Sequence, residues 1–108
     1  MIEDKNKQIL LVPYFNSMVG KVFKVLPLYD EGNLGINTYI ESLLFELYGL
    51  QKAVVLADIE KDYVSLVSTL ESVESELAKI DINKQVLKRE LFKCIDIVKN
   101  MVDKLEKE

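Results

Sequence analysis

The chain contains no histidine, and this absence removes the usual general base and the commonest metal ligand from all 108 residues. It has one cysteine, Cys94, so an intramolecular disulfide and a zinc site built on cysteine and histidine are both excluded by count. No histidine is there to activate that thiol, so Cys94 reads as a small buried hydrophobe in a reducing compartment. A phosphate-cradling loop is missing too, because Gly32-x-x-Gly35 lacks a following lysine and a preceding strand. Long hydrophobic runs are absent. The most apolar stretch, Ile9 to Leu28, is broken by Pro13, Asn16, Ser17, Lys21 and Lys24, too many polar positions for a bilayer span. The opening Met1-Ile2-Glu3-Asp4 has no basic region of the kind that starts a secretory signal. A cytoplasmic location is the expectation by default.

A concentrated basic field is lacking as well. Net charge is −4, and residues 58–80 carry −4 against +1 for residues 81–108 and −1 for residues 1–57. Phosphate binding needs clustered bases, so nucleic acid is an improbable partner, although Lys84, Lys88 and Lys99 leave a small basic face on the last helix. Acidic clusters fare no better as metal sites. Asp30-Glu31-Gly32-Asn33 lacks the alternating oxygens and terminal glutamate of a calcium loop. Glu71 and Glu74 share a helix face but Glu76 does not, and a solvated face is the simpler account. Glu41 and Glu46 lack the Glu-x-x-His companions of a di-metal bundle. The cofactor and metal expectation is therefore none.

What the sequence does contain is an apolar fraction of 49% with 30% charged residues, ordinary for a folded domain. At this length one domain is expected, with a core large enough to need no staple. Two heptad seams organise it. One reads Leu56, Ile59, Tyr63, Leu66, Leu70, Val73, Leu77, Ile80; the other reads Leu87, Leu91, Cys94, Val98, Met101, Leu105. Paired across Ile82 their numbers always total 164: 77 with 87, 73 with 91, 70 with 94, 66 with 98, 63 with 101, 59 with 105. Steps of three and four place apolar residues on one helical face, and a shared register lets two faces zip together antiparallel. The spacing predicts helices over 58–80 and 84–107, joined by a turn at 81–83 capped by Asp81 or Asn83. Asp62 should approach Lys104, Glu74 should approach Lys88, and Glu76 should lie unfavourably near Glu90. Val64, Val67, Ile95, Ile97 and Val102 widen the apolar face away from the turn.

Two further helices precede this pair. The first is predicted over 13–26: Pro13 suits a first turn, Phe15, Met18, Val19, Val22, Phe23 and Leu26 form a stripe, and Pro27 ends it. Gly20 inside the stripe points to a close helix crossing, and residues 1–8 are expected to fray. Lys21 and Lys24 make this helix mildly basic, but packing into its own core is a better account than lying on a membrane. Residues 27–37 form the connector. The second helix is predicted over 38–48, opened by a Thr38-x-x-Glu41 capping box and closed by Gly49. Ile40, Leu43, Leu44, Phe45, Leu47 and Tyr48 make it apolar over most of its circumference, which places it at the centre. Residues 50–57 lean towards an extended link with Asp58 as the next cap.

The resulting expectation is all-α: an antiparallel four-helix bundle with a C-terminal coiled-coil-like hairpin, its turn protruding. Function is less legible. A non-catalytic protein–protein interaction module is the leading expectation, an adaptor, small subunit or homodimer. Its candidate partner-binding residues are Tyr29, Tyr39 and Tyr48, since tyrosine joins a large apolar area to a polar tip. The rivals are a small nucleic-acid-associated subunit and a small enzyme working with carboxylates alone. Thirteen lysines to one arginine (Arg89) is a composition associated with bacterial or phage genomes rich in A and T.

Overall fold

Every regular element that the computed structural model describes, over residues 2–51 and 59–107, is an α-helix. They are α1 (Ile2–Phe23), α2 (Val25–Asp30), α3 (Ile36–Gly49), α4 (Glu60–Leu77) and α5 (Lys84–Lys107). The molecule is a rod of 49 × 21 × 20 Å. Among the described residues, no helix is long and apolar enough to cross a membrane.

Both seams are buried. Ile59, Tyr63, Leu66, Leu70, Val73 and Leu77 of one, and Leu87, Leu91, Cys94, Val98, Met101 and Leu105 of the other, all lie in the core. Ile95 and Val102 join them, while Val67 and Ile97 pack against the rim. One seam residue departs from the expectation and one lies outside it. Leu56, like the expected cap Asp58, lies outside the described residues; Ile80 is fully exposed, because α4 ends at Leu77. Val64 is also exposed.

The early end of α4 is local chemistry. Glu76 is buried and its carboxylate accepts from the Lys79 ammonium at 3.1 Å and from the Asn83 backbone N–H at 3.0 Å. Asn83 in turn caps α5, its Oδ1 accepting from the N–H groups of Gln85 and Val86. Glu76 therefore faces the turn, where Lys79 and the Asn83 N–H hold its carboxylate, and Glu76 and Glu90 line one open cleft. At the other end, Lys104 and Asp62 form an ion pair at 2.6 Å, as their register requires.

The first helix differs most from its forecast. It begins at Ile2 and runs through Pro13. Proline removes the hydrogen bond that would have ended on the Ile9 carbonyl, but Leu11 and Phe15 on either side are buried and hold the helix through it. Pro27 acts four residues upstream of itself: it has no N–H to give the Phe23 carbonyl, so α1 stops at Phe23. Lys24 stays nearly helical (φ −63°, ψ −18°), and Leu28 N–H to Lys24 C=O restarts the chain as α2. Pro27 then sits in the first turn of α2, where no donor is needed.

The connector shrinks to residues 31–35. Gly32 has φ +66°, and Gly32 N–H to Tyr29 C=O with Asn33 N–H to Leu28 C=O forms a Schellman close to α2. Asn33 Oδ1 then accepts from Gly35 N–H at 2.8 Å, and α3 starts at Ile36 with Gly35 as its cap. Thr38 is consequently inside the helix and the expected capping box does not form. Gly49 is helical rather than a left-handed terminator; Leu50 closes the turn. Gly20 marks no close crossing, since a Cβ there would meet nothing within 4 Å.

α4 packs chiefly on α5, α5 also on α1, and α4 also on α3. Side chains complete the circuit between α1 and α3: Tyr39 donates to the Lys21 carbonyl at 2.6 Å, and Tyr14 and Lys21 both reach Glu46. The second predicted helix, α3, is thus not central. It buries Ile40, Leu43, Leu44 and Leu47 and leaves Phe45 79% exposed and Tyr48 52% exposed. The α4–α5 turn does not protrude alone, because Asp30 at the end of α2 pairs with Lys84 at the start of α5 at 2.7 Å.

Candidate functional site

The three tyrosines singled out from sequence occupy different places. Tyr29, on α2, packs partly against the core. Tyr39 turns towards α1, where its hydroxyl bond to the Lys21 carbonyl fixes it and Lys24 Nζ lies 5.8 Å from its ring centre. Tyr48 turns towards α4 and donates to Glu71 at 3.2 Å. A nine-residue separation along a helix is about two and a half turns, so Tyr39 and Tyr48 point to opposite sides.

On the α1–α3 side, Glu46 gathers Tyr14 (3.2 Å) and Lys21 (3.1 Å), with Lys21 Nζ 5.6 Å from the centre of the Tyr14 ring. Burial, then the charge of Glu46, pushes the Tyr14 phenol well above its ordinary value, and the same two causes raise Tyr39. Tyr48 is raised as well, by desolvation and by its bond to Glu71. Phenols held in this way stay protonated at neutral pH and act as hydrogen-bond donors. Among the described residues, no three of cysteine, aspartate and glutamate are grouped so as to hold a metal ion.

The α3–α4 side carries a cleft of about 200 Å³ lined by Tyr48, Gln51, Tyr63, Val64, Val67, Ser68 and Glu71. Tyr63 is 3% exposed, and its hydroxyl is the buried side-chain polar atom with no hydrogen-bond partner among the described residues. Burial raises that phenol to about 12. Leaving such a donor unpaired costs about 1–3 kcal/mol, a cost that core packing of its ring against Phe15 offsets (centroids 6.4 Å apart, edge to face). Val64, 56% exposed, belongs to that lining, and Phe45, 79% exposed, stands one helical turn before Tyr48 on α3. Further along the same helix pair, a second cleft is lined by Asn37, Glu41, Glu74, Ser75 and Ala78. Glu41, Glu71 and Glu74 are the charged residues lining these two clefts, and all are acidic.

Sequence reasoning found Tyr48 but not Phe45, Val64 or the orphaned Tyr63 hydroxyl. The available signal was Phe45 three residues before Tyr48 on a helix with more apolar surface than one neighbour can cover. No protein-family model, no curated protein and no solved structure matches this chain.

Proposed function

We propose that the chain is a non-catalytic protein–protein interaction module, working in the cytoplasm of a bacterial or phage-infected cell as an adaptor, small subunit or homo-oligomer. Its scaffold in this reading is an antiparallel four-helix bundle in which α4 and α5 form a coiled-coil-like hairpin. The observation that carries the proposal is the apolar α3–α4 face: Tyr48 and Val64 line an open cleft, and Phe45, 79% exposed, stands one helical turn before Tyr48. Contiguous exposed apolar surface marks contact sites, and aromatic residues beside a pocket are the usual anchors of an interface. Of the three candidate tyrosines, Tyr48 belongs to this face; Tyr39 ties α1 to α3, and Tyr29 packs at the end of α2.

Two observations weaken the rivals. A carboxylate enzyme needs two acids in different environments, whereas Glu46 is engaged by Tyr14 and Lys21. A nucleic-acid subunit would use the last helix, but Lys84 is paired with Asp30, and the exposed Asp96 and Asp103 interrupt its basic strip. Replacing Phe45 with a photo-crosslinking phenylalanine in the source cell tests the proposal, with Gln85 at the α4–α5 turn as control. Adducts to protein at 45 but not at 85 are expected. Equal labelling at both sites, or none at 45, would refute the placement.

A further inference from the structure

The bundle carries a second exposed apolar patch. Phe23 of α1 and Phe92 of α5 are 50% and 40% exposed and meet edge to face, their centroids 6.0 Å apart. Around Phe92 at helical spacing stand Lys88, Arg89, Lys99 and one acid, Asp96, all exposed, with Arg89 also 3.9 Å from the Glu90 carboxylate. This patch lies on the α1–α5 side. Since α5 contacts α1 and α4, and α3 contacts α4 and reaches α1 through Tyr39 and Glu46, the α1–α5 side is opposite the α3–α4 side. The two patches also differ in the sign of their surroundings. Among the described residues, Phe45, Tyr48 and Val64 have Glu41, Glu60, Glu71 and Glu74 around them with one base, Lys61.

From this we infer that the chain associates with itself head to tail, the basic Phe23/Phe92 patch of one copy docking on the acidic Phe45/Tyr48/Val64 face of the next. The inference rests on the reading of the α3–α4 face as an interaction surface and names its occupant: a second copy of this chain. Charge complementarity decides against a symmetric pairing. In a two-fold dimer each patch would meet itself, setting Glu71 and Glu74 against the same acids, or Lys88 and Lys99 against the same bases, and like-charge juxtaposition penalises the wrong pairing. Two complementary patches on opposite sides of one rod leave a free patch at each end after every addition. The product is therefore a chain of copies, open or closed into a ring of three or more, rather than a two-fold dimer.

The test uses the full chain and two surface variants, each disabling one patch. Phe92→Glu places an acid among the bases of α5, and Phe45→Lys places a base among the acids of α3 and α4. Both sites are exposed, and helical circular dichroism checks that each variant folds. Light scattering and sedimentation from micromolar to millimolar concentration should show the wild-type mass rising past two chains. Association should weaken at least tenfold on going from low salt to molar salt, where the screening length falls to roughly 3 Å. Each variant alone should stay monomeric. Mixed, they should form a one-to-one complex that stops at two chains, because the one intact patch on each complements the other. Four results would overturn the inference: a wild type that remains monomeric at millimolar concentration; growth that halts at a dimer; one variant that still dimerises by itself; or a mixture that stays monomeric. A monomeric wild type whose Phe45 still crosslinks to other proteins would remove self-association while keeping the interaction face.

Discussion

Leu70 and Ile80 stand on one heptad seam by sequence, yet the structure buries the first completely and exposes the second completely. Truncating each to alanine therefore separates packing from periodicity. Leu70→Ala removes three carbons from a fully buried site; at about 0.8 kcal/mol per methylene the transfer loss alone is about 2.4 kcal/mol. The cavity left between α4 and α5 adds to this, and buried Leu→Ala changes span about 2–5 kcal/mol. Ile80→Ala removes carbons that already lie in water, so the change should stay within about 0.5 kcal/mol. Urea titration followed by helical circular dichroism reads both. With a slope of about 1–3 kcal/mol/M for a small domain, Leu70→Ala should lower the midpoint by roughly 1–3 M, and Ile80→Ala should barely move it. Equal shifts for the two variants would mean that α4 continues past Leu77 and that Glu76 does not end it.

Four further outcomes follow from individual side chains. Burial, with the nearby charge of Glu90, pushes the Cys94 thiol up to about 12, so a thiol reagent at neutral pH should label it slowly in the native protein and at once in urea; Leu70→Cys, oxidised during dilute refolding, should give an intramolecular disulfide with Cys94, and exclusively intermolecular crosslinks would refute the seam register. Asn83→Ala should cost about 0.5–2 kcal/mol by removing the cap of α5, whereas Asn83→Asp should be nearly neutral in urea titration; equal losses would show that the side-chain oxygen does not cap. The Asn83 N–H, then Lys79, hold the Glu76 carboxyl below its ordinary value, so its stabilising contribution is complete above the ordinary carboxylate range and is lost as pH falls through the lowered folded value; Glu76→Gln should flatten that acid limb of the stability curve, and an unchanged limb would exclude Glu76 as its source.

The parts legible in the sequence are those in which one interaction dominates over many residues. Twelve buried positions of the paired seams follow from heptad spacing alone, because no competing pattern has the same period. Asp62 with Lys104 follows from the register those positions set. Helix boundaries are different, because several local groups compete for the same few amides. Thr38 and Glu41 form a valid capping signature, but the Asn33 side chain takes the Gly35 amide first and starts α3 two residues earlier. Pro13 looks like a helix start by its own chemistry; the buried Leu11 before it and Phe15 after it decide otherwise. Pro27 does end a helix, but at Phe23, the carbonyl that lacks its donor, rather than at Leu26.

Surface is harder to read than core for the same reason. Whether an apolar residue on a crowded helix faces a neighbour or water depends on the number of neighbours. α3 has enough apolar side chains for a central helix, yet it lies at the edge and shows Phe45 to solvent. The opposite charges of the two patches need the tertiary arrangement as well, since Glu41 and Glu74 come from different helices and meet only across their shared cleft. The sequence does record the imbalance that makes such a pairing possible, with −4 in residues 58–80 against +1 in residues 81–108. Folding these segments back on each other sets their outer faces on different sides of one rod. A separation of charge along the chain thereby becomes a separation of charge across the molecule, and that gives the head-to-tail contact its direction.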